Sequence, residues 1–193
     1  LDVSANCNAL GTQQSVKQAI IDSVEELSDY PRVGCGPLKE AIADYEHTKK
    51  EYLICGNGAA DLIFSLSRAL NPKKALLPAP TFAEYEQALV SVGCEISRYY
   101  LKEENDFCIQ KDYPDVLKRE KPDIIFLCNP NNPTGITIPQ DLLEEILETC
   151  AMQGIFMVVD ECFLDFVKDP EKHTLKEKLA KYPGLFILKA FTK

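Results

Sequence analysis

Residues 123–135 read DIIFLCNPNNPTG, and this stretch decides the fold. The continuous apolar run 124–128 is typical of a strand buried on both faces of a sheet. Asparagine, proline, threonine and glycine follow it, and these residues form turns. A short apolar run recurs along the chain, and the strand candidates are 52–55, 75–78, 95–100, 123–128, 155–160 and 185–190.

Amphipathic stretches lie between these runs. The helix candidates are about 13–27, 37–48, 59–70, 82–92, 139–152 and 174–181. Short apolar strands that alternate with helices predict an α/β fold with a mainly parallel central sheet flanked by helices. We expect an N-terminal arm and helix over residues 1–30 and one large domain over 31–193.

Composition excludes several classes of protein. The net charge of −9 argues against a nucleic-acid partner, which a basic face would bind. Eight cysteines without C-x-x-C spacing, beside only two histidines, argue against a zinc site and indicate free thiols in a reducing cytoplasm. No apolar run approaches the roughly 18 residues of a membrane span. We therefore expect no metal and no membrane partner.

Chemically suggestive residues follow the strand candidates. Ligands of such sheets bind beyond the carboxyl ends of the strands, which meet at one edge. We expect the following residues to converge there: Gly56 to Gly58, Pro80 to Phe82, Asn129 to Gly135, Asp160 and Lys193.

Each of these features has a plain structural interpretation. Residues 56–58 could be an ordinary strand–helix turn and 129–135 a structural turn. Asp160 could form a salt bridge or cap a helix, and Lys193 could be a solvated surface residue.

Together, however, the features suit pyridoxal 5′-phosphate (PLP). A helix N-terminus binds phosphate, a carboxylate holds a proton on the pyridine nitrogen, an amide donates to O3′, and a lysine forms a Schiff base.

The chain resembles the fold-type-I PLP enzymes of the class I/II aminotransferase family. The resemblance implies that residues 31–193 are the PLP-binding large domain and that the chain is cut before a small C-terminal domain. Within that family it is similar to the branch that holds histidinol-phosphate aminotransferase and threonine-phosphate decarboxylase. The matching segments, which cover essentially the whole chain, are SANCNALG (4–11), DYPRVG (29–34), LICGNGAADLI (53–63), PAPTFAEYE (78–86), FLCNPNNPTG (126–135), VVDECFLDF (158–166) and LKAFTK (188–193).

The resemblance implies a role for each matching residue. Lys193 would form the Schiff base, Asp160 would pair with the pyridine nitrogen, Asn132 would donate to O3′, and Phe82 would stack on the ring. The phosphate would accept hydrogen bonds from the Thr192 hydroxyl and from the backbone N–H groups of Gly58, Ala59 and Ala60. Tyr30 would reach the phosphate held by the other subunit of a homodimer. Asn6 would lie near the substrate.

One of the positions that depart from the family bears on the reaction. Many transaminases carry a tyrosine three residues after the aspartate, where it also bonds O3′, and here that residue is Phe163. This change and the segments 80–96 and 160–166 favour decarboxylation of L-threonine O-3-phosphate, in cobalamin biosynthesis, over transamination of histidinol phosphate, in histidine biosynthesis. The resemblance places substrate-binding arginines beyond Lys193, so we expect this fragment to be inactive alone.

Two other classes are less well supported. A nucleotide-binding module would need a P-loop or dinucleotide glycine pattern, and neither occurs. A non-catalytic member of the same fold would not need Lys193, Asp160 and Asn132 together.

Overall fold

The computed structural model describes residues 6, 10–30 and 32–191, which form two compact units that divide after Gly56. The first unit contains helices α1 (Gln14–Asp22) and α2 (Gly36–Glu46) and 3-10 turns at Val24–Ser28 and Lys50–Tyr52. No residue of α1 is buried. The predicted boundary at residue 30 stays a prediction.

The second unit is built on one five-stranded sheet. Its strands are β1 (Lys74–Ala79), β2 (Glu95–Tyr100), β3 (Ile124–Cys128), β4 (Phe156–Asp160) and β5 (Leu185–Leu188). Their order is β2-β1-β3-β4-β5, and every neighbouring pair is parallel. The predicted α/β fold is therefore confirmed.

Four α-helices accompany the sheet: α3 (Ala59–Leu70), α4 (Ala83–Ser91), α5 (Tyr113–Glu120) and α6 (Gln140–Gln153). Alternate residues of β3 enter two hydrophobic clusters. Ile125 and Leu127 pack with α5 and α6, whereas Ile124 and Phe126 pack with α3 and α4. Because both faces of the strand are covered, its sequence is a continuous apolar run rather than an alternating one.

The order of the strands defines where a ligand can bind. The chain passes from β1 to β2 on one side and then returns to place β3 on the other side of β1. Such a reversal opens a crevice at the carboxyl ends of the two central strands. The segments that follow β1 and β3, together with the end of β4, therefore flank the candidate site.

Two element predictions were wrong, and one helix was missed. Residues 52–55 form no strand: a 3-10 turn ends at Tyr52, and Ile54 is 64% exposed without a neighbouring strand. Helix α5 was missed because its sequence, YPDVLKRE, is mostly polar, although Tyr113 and Leu117 are fully buried.

The segment 174–181 contains only the 3-10 turn Lys176–Lys178. The Glu161 carboxylate accepts hydrogen bonds from the Thr174 hydroxyl (2.8 Å) and the Leu175 N–H (3.2 Å), which fix the start of this segment at the sheet edge. Within the described ranges, no helix has both the length and the apolar character that crossing a membrane requires.

Candidate active site

Asp160 ends β4 as a buried carboxylate, 5% exposed. Its Oδ2 accepts a hydrogen bond from the Tyr85 hydroxyl at 2.6 Å, and its Oδ1 accepts one from the Cys162 N–H at 2.9 Å. Among the described residues no lysine, arginine or histidine forms an ion pair with it. A buried carboxylate with only neutral donors has an electrostatic preference for a cation.

Tyr85 holds this carboxylate from helix α4. Its ring is fully buried, stacked on Phe126 with centroids 4.9 Å apart, and it meets Phe82 edge-on at 5.5 Å. Burial, with the nearby Asp160 charge, raises the pKa of Tyr85. The phenol therefore stays protonated and acts as a fixed donor to Asp160.

The sequence did not identify Tyr85 as a site residue. Tyr85 follows the predicted ring-stacking residue Phe82 by only three residues, so it was a candidate by proximity. What the sequence lacked was the partner, which is 75 residues away.

The three asparagines after β3 have different environments. Asn129 is fully buried: its Nδ2 donates to the His173 carbonyl (2.9 Å), its Oδ1 accepts from the Ile138 N–H (2.8 Å), and its N–H donates to the Asp160 carbonyl (2.8 Å). The structural interpretation of the motif is therefore correct for Asn129, which ties the loop to β4.

Asn131 is also occupied within the protein. Its Oδ1 accepts from the Thr81 hydroxyl at 2.9 Å, and its Nδ2 donates to the Pro80 carbonyl at 3.1 Å and the Thr134 hydroxyl at 3.0 Å. It joins the segments that follow β1 and β3 across the crevice.

Asn132 differs from both. It is partly exposed, and across the described ranges its side chain makes no hydrogen bond. Its backbone N–H donates to the Cys128 thiol at 3.4 Å. Of the three asparagines, Asn132 alone has a side-chain amide without a hydrogen-bond partner among the described residues, and its contact with O3′ stays a prediction.

The N-terminus of α3 offers backbone donors. Gly58 precedes the helix with φ 87° and ψ 165°, a conformation that favours glycine. The N–H groups of Gly58, Ala59 and Ala60 have no acceptor in the described part of the chain, as expected for the first turn of a helix. The Asn57 N–H instead bonds the Asp61 carboxylate at 2.9 Å. Ala59 and Phe82 pack against one cluster, which contains Cys128 and Cys162.

These groups fit pyridoxal 5′-phosphate chemically. The buried carboxylate matches a protonated ring nitrogen, the amide matches a phenolic oxygen, and the helix N-terminus matches a phosphate. Phe163 packs against the same cluster and presents no hydroxyl.

Four predicted residues lie outside the described part of the second unit. Thr192 and Lys193 lie outside the described residues. Asn6 and Tyr30 are exposed residues of the first unit, Tyr30 to 95%. The roles that the resemblance gives these four residues stay predictions.

The chain belongs to the aminotransferase class I and II family, whose model matches residues 1–193. It is 35% identical to the threonine-phosphate decarboxylase of Salmonella typhimurium over 100% of this chain and 52% of that protein. It is 30% identical to a histidinol-phosphate aminotransferase of Methanosphaera stadtmanae over 100% of this chain and 51% of that protein. The chain thus spans about half the length of these curated relatives.

Solved structures agree with this assignment. The histidinol-phosphate aminotransferase of Clostridium acetobutylicum superposes with a TM-score of 0.88 at 29% identity, over 100% of this chain and 56% of that one. A histidinol-phosphate aminotransferase of Sinorhizobium meliloti, solved in complex with pyridoxal-5′-phosphate, shares the fold at 19% identity with a TM-score of 0.88, over 98% of this chain and 51% of that one. The predicted family is confirmed.

Proposed function

We propose that the full-length protein is a PLP-dependent enzyme that acts on a small phosphorylated amino substrate and decarboxylates L-threonine O-3-phosphate. The observation that carries the cofactor assignment is the Asp160 carboxylate, buried between two neutral donors at the end of β4. When bound, pyridoxal phosphate supplies an electron sink for a bond broken at the substrate Cα.

Each protein group then has a specific task. Asp160 holds a proton on the ring nitrogen, because an ion pair in a dry site favours the charged form of its cationic partner. The Tyr85 hydroxyl and the Cys162 N–H orient the carboxylate and leave it a lone pair for that contact. Asn132 donates to the phenolic oxygen.

Two further groups hold the flat ring and its phosphate. Phe82 is the stacking residue, and the edge of Tyr85 limits the tilt of its ring. The free N–H groups of Gly58, Ala59 and Ala60 bind the phosphate, assisted by the Thr192 hydroxyl. Lys193 is the residue that we assign to the Schiff base.

The decarboxylase is favoured by two observations. Identity is higher with the Salmonella typhimurium decarboxylase than with the Methanosphaera stadtmanae aminotransferase. Phe163 provides no second donor to the phenolic oxygen, unlike the tyrosine of many transaminases. The alternative is a histidinol-phosphate aminotransferase, which the 0.88 TM-score with the Clostridium acetobutylicum structure supports.

The two reactions differ in the bond that is broken. Decarboxylation breaks the Cα–carboxylate bond and releases CO2, whereas transamination removes the Cα proton and needs a keto-acid acceptor. The discriminating assay therefore gives full-length enzyme threonine phosphate labelled in its carboxyl group, without any keto acid. Stoichiometric release of labelled CO2, absent in Lys193→Ala, supports the proposal. Acceptor-dependent turnover of histidinol phosphate without CO2 release would reverse it.

We also propose that the enzyme is a cytoplasmic homodimer with composite sites. The support is the resemblance of the Tyr30 segment to one that crosses between subunits, and the seven described cysteines, all free, suit a reducing compartment. Mixed dimers of a Tyr30→Phe subunit and a Lys193→Ala subunit would rebuild one intact site. They should recover activity that neither parent has, and no recovery would contradict composite sites.

A further inference from the structure

Cys128 lies between the loop that carries Asn132 and the strand that ends at Asp160. It is the last residue of β3 and is paired in register with Asp160 on β4. We propose that Cys128 is a positioning residue, which couples the Asn132 segment to the Tyr85–Asp160 pair. This inference rests on the proposed function, because the two groups that it couples are those assigned to the pyridine nitrogen and to O3′.

The contacts of the thiol support this role. Its Sγ accepts a hydrogen bond from the Asn132 N–H at 3.4 Å and donates one to the Pro130 carbonyl at 3.2 Å. Tyr85, whose hydroxyl donates to Asp160, packs with Cys128 in one hydrophobic cluster. The sulfur is thus the common neighbour of the asparagine loop and of the donor that orients the carboxylate.

The protonation state of Cys128 suits both of its hydrogen bonds. Burial, and then the Asp160 charge, raises the pKa of the thiol to about 11. The S–H proton therefore remains available for the Pro130 carbonyl at neutral pH, while the sulfur lone pairs accept from Asn132.

A buried cysteine that only fills space would have a different signature. Cys150 of α6 provides the matched control, since it is 1% exposed, and burial alone raises the pKa of its thiol to about 12. It packs in the other hydrophobic cluster, with α5 and α6. Truncation to alanine removes a buried sulfur atom at either position, but only Cys128→Ala removes the acceptor of the Asn132 backbone N–H.

The first test is a pH titration of the visible absorbance of the full-length enzyme loaded with pyridoxal phosphate. Loss of the Cys128 sulfur frees the Asn132 backbone, so the Asn132 side-chain amide is held less firmly and stabilises the ionised phenolic oxygen less. The protonated form of the bound cofactor then persists to higher pH. We expect the midpoint in Cys128→Ala to rise by about 0.5–1 pH unit, the equivalent of one weakened hydrogen bond. Cys128→Ser, which keeps a donor and an acceptor, should fall between wild type and alanine, and Cys150→Ala should match wild type.

The second test needs no cofactor. In the cofactor-free protein, hydrogen exchange of the Asn132 backbone N–H should be about 5-fold faster in Cys128→Ala, because the sulfur that accepts its hydrogen bond is gone. Cys128→Ser should exchange at close to the wild-type rate, and this variant preserves the test if the alanine variant does not fold. Unchanged exchange and an unchanged midpoint, or equal changes in Cys150→Ala, would overturn the coupling. A wild-type protein with no visible band, but with faster exchange in Cys128→Ala, would count against the proposed function alone.

Discussion

The hydrogen bond from Tyr85 to Asp160 permits a sharp test of how the site is stabilised. Tyr85→Phe deletes one hydroxyl and leaves the stacking on Phe126 and the edge contact with Phe82 in place. Asp160 then keeps only the Cys162 N–H as a donor. Because the site is buried, water cannot readily replace the lost partner.

The size of the effect follows from the charge of the acceptor. Hydrogen bonds to charged groups contribute about 1.5–3 kcal/mol. We therefore expect the free energy of unfolding of the cofactor-free full-length protein to fall by about 2 kcal/mol in Tyr85→Phe. Urea unfolding, followed by fluorescence and circular dichroism together, measures this difference.

The chain offers a matched control at Tyr113. This ring is also fully buried and packs edge-on against an aromatic neighbour, Tyr99, at 4.9 Å. Its hydroxyl has no partner in the described part of the chain. Tyr113→Phe should leave the free energy of unfolding unchanged or raise it, because it removes an unsatisfied polar group. An equal loss in both variants would refute the reasoning, since it would show that the contact with Asp160 adds nothing.

Two further predictions concern the carboxylate and the asparagines. Asp160→Asn should reduce turnover by at least about 100-fold with the fold retained. Glu161→Gln, at the neighbouring buried carboxylate, should lower stability without that loss of turnover. Steady-state kinetics and thermal melts distinguish the two variants, and near-normal turnover in Asp160→Asn would contradict the assignment. Asn132→Ala should raise the pH midpoint of the bound cofactor's absorbance by about 1 unit, while the free energy of unfolding changes little. Asn131→Ala should instead lower the free energy of unfolding by about 1–3 kcal/mol. The opposite pattern would show that the roles of the two asparagines are exchanged.

The sequence predicted those strands correctly whose own composition shows that they are buried. The runs that became β1, β3 and β4 are mostly apolar because both faces of these strands are covered, so their composition indicated burial directly. Residues 52–55 were a poor strand candidate, because a strand also needs a neighbour to pair with, and a sequence does not reveal it.

The site was only partly predictable for a related reason. Asp160 and Asn132 occur in recognisable motifs, but the sequence NPNNPTG does not show which amides the protein itself uses. That distinction depends on partners as distant as His173 and Thr81. Cys128 was read as a small buried hydrophobe, which its exposure of 5% supports, while its hydrogen bonds depend on a loop conformation that spacing does not specify.

The central claim is that the carboxyl edge of this sheet binds pyridoxal phosphate, with Lys193 as the attached residue. The most direct measurement is borohydride reduction of the full-length protein, followed by peptide mapping. We predict a near-visible absorption band that reduction abolishes, with one pyridoxyl group fixed to Lys193 and none in Lys193→Ala. A wild-type protein without the band, or a label fixed to another lysine, would contradict the account.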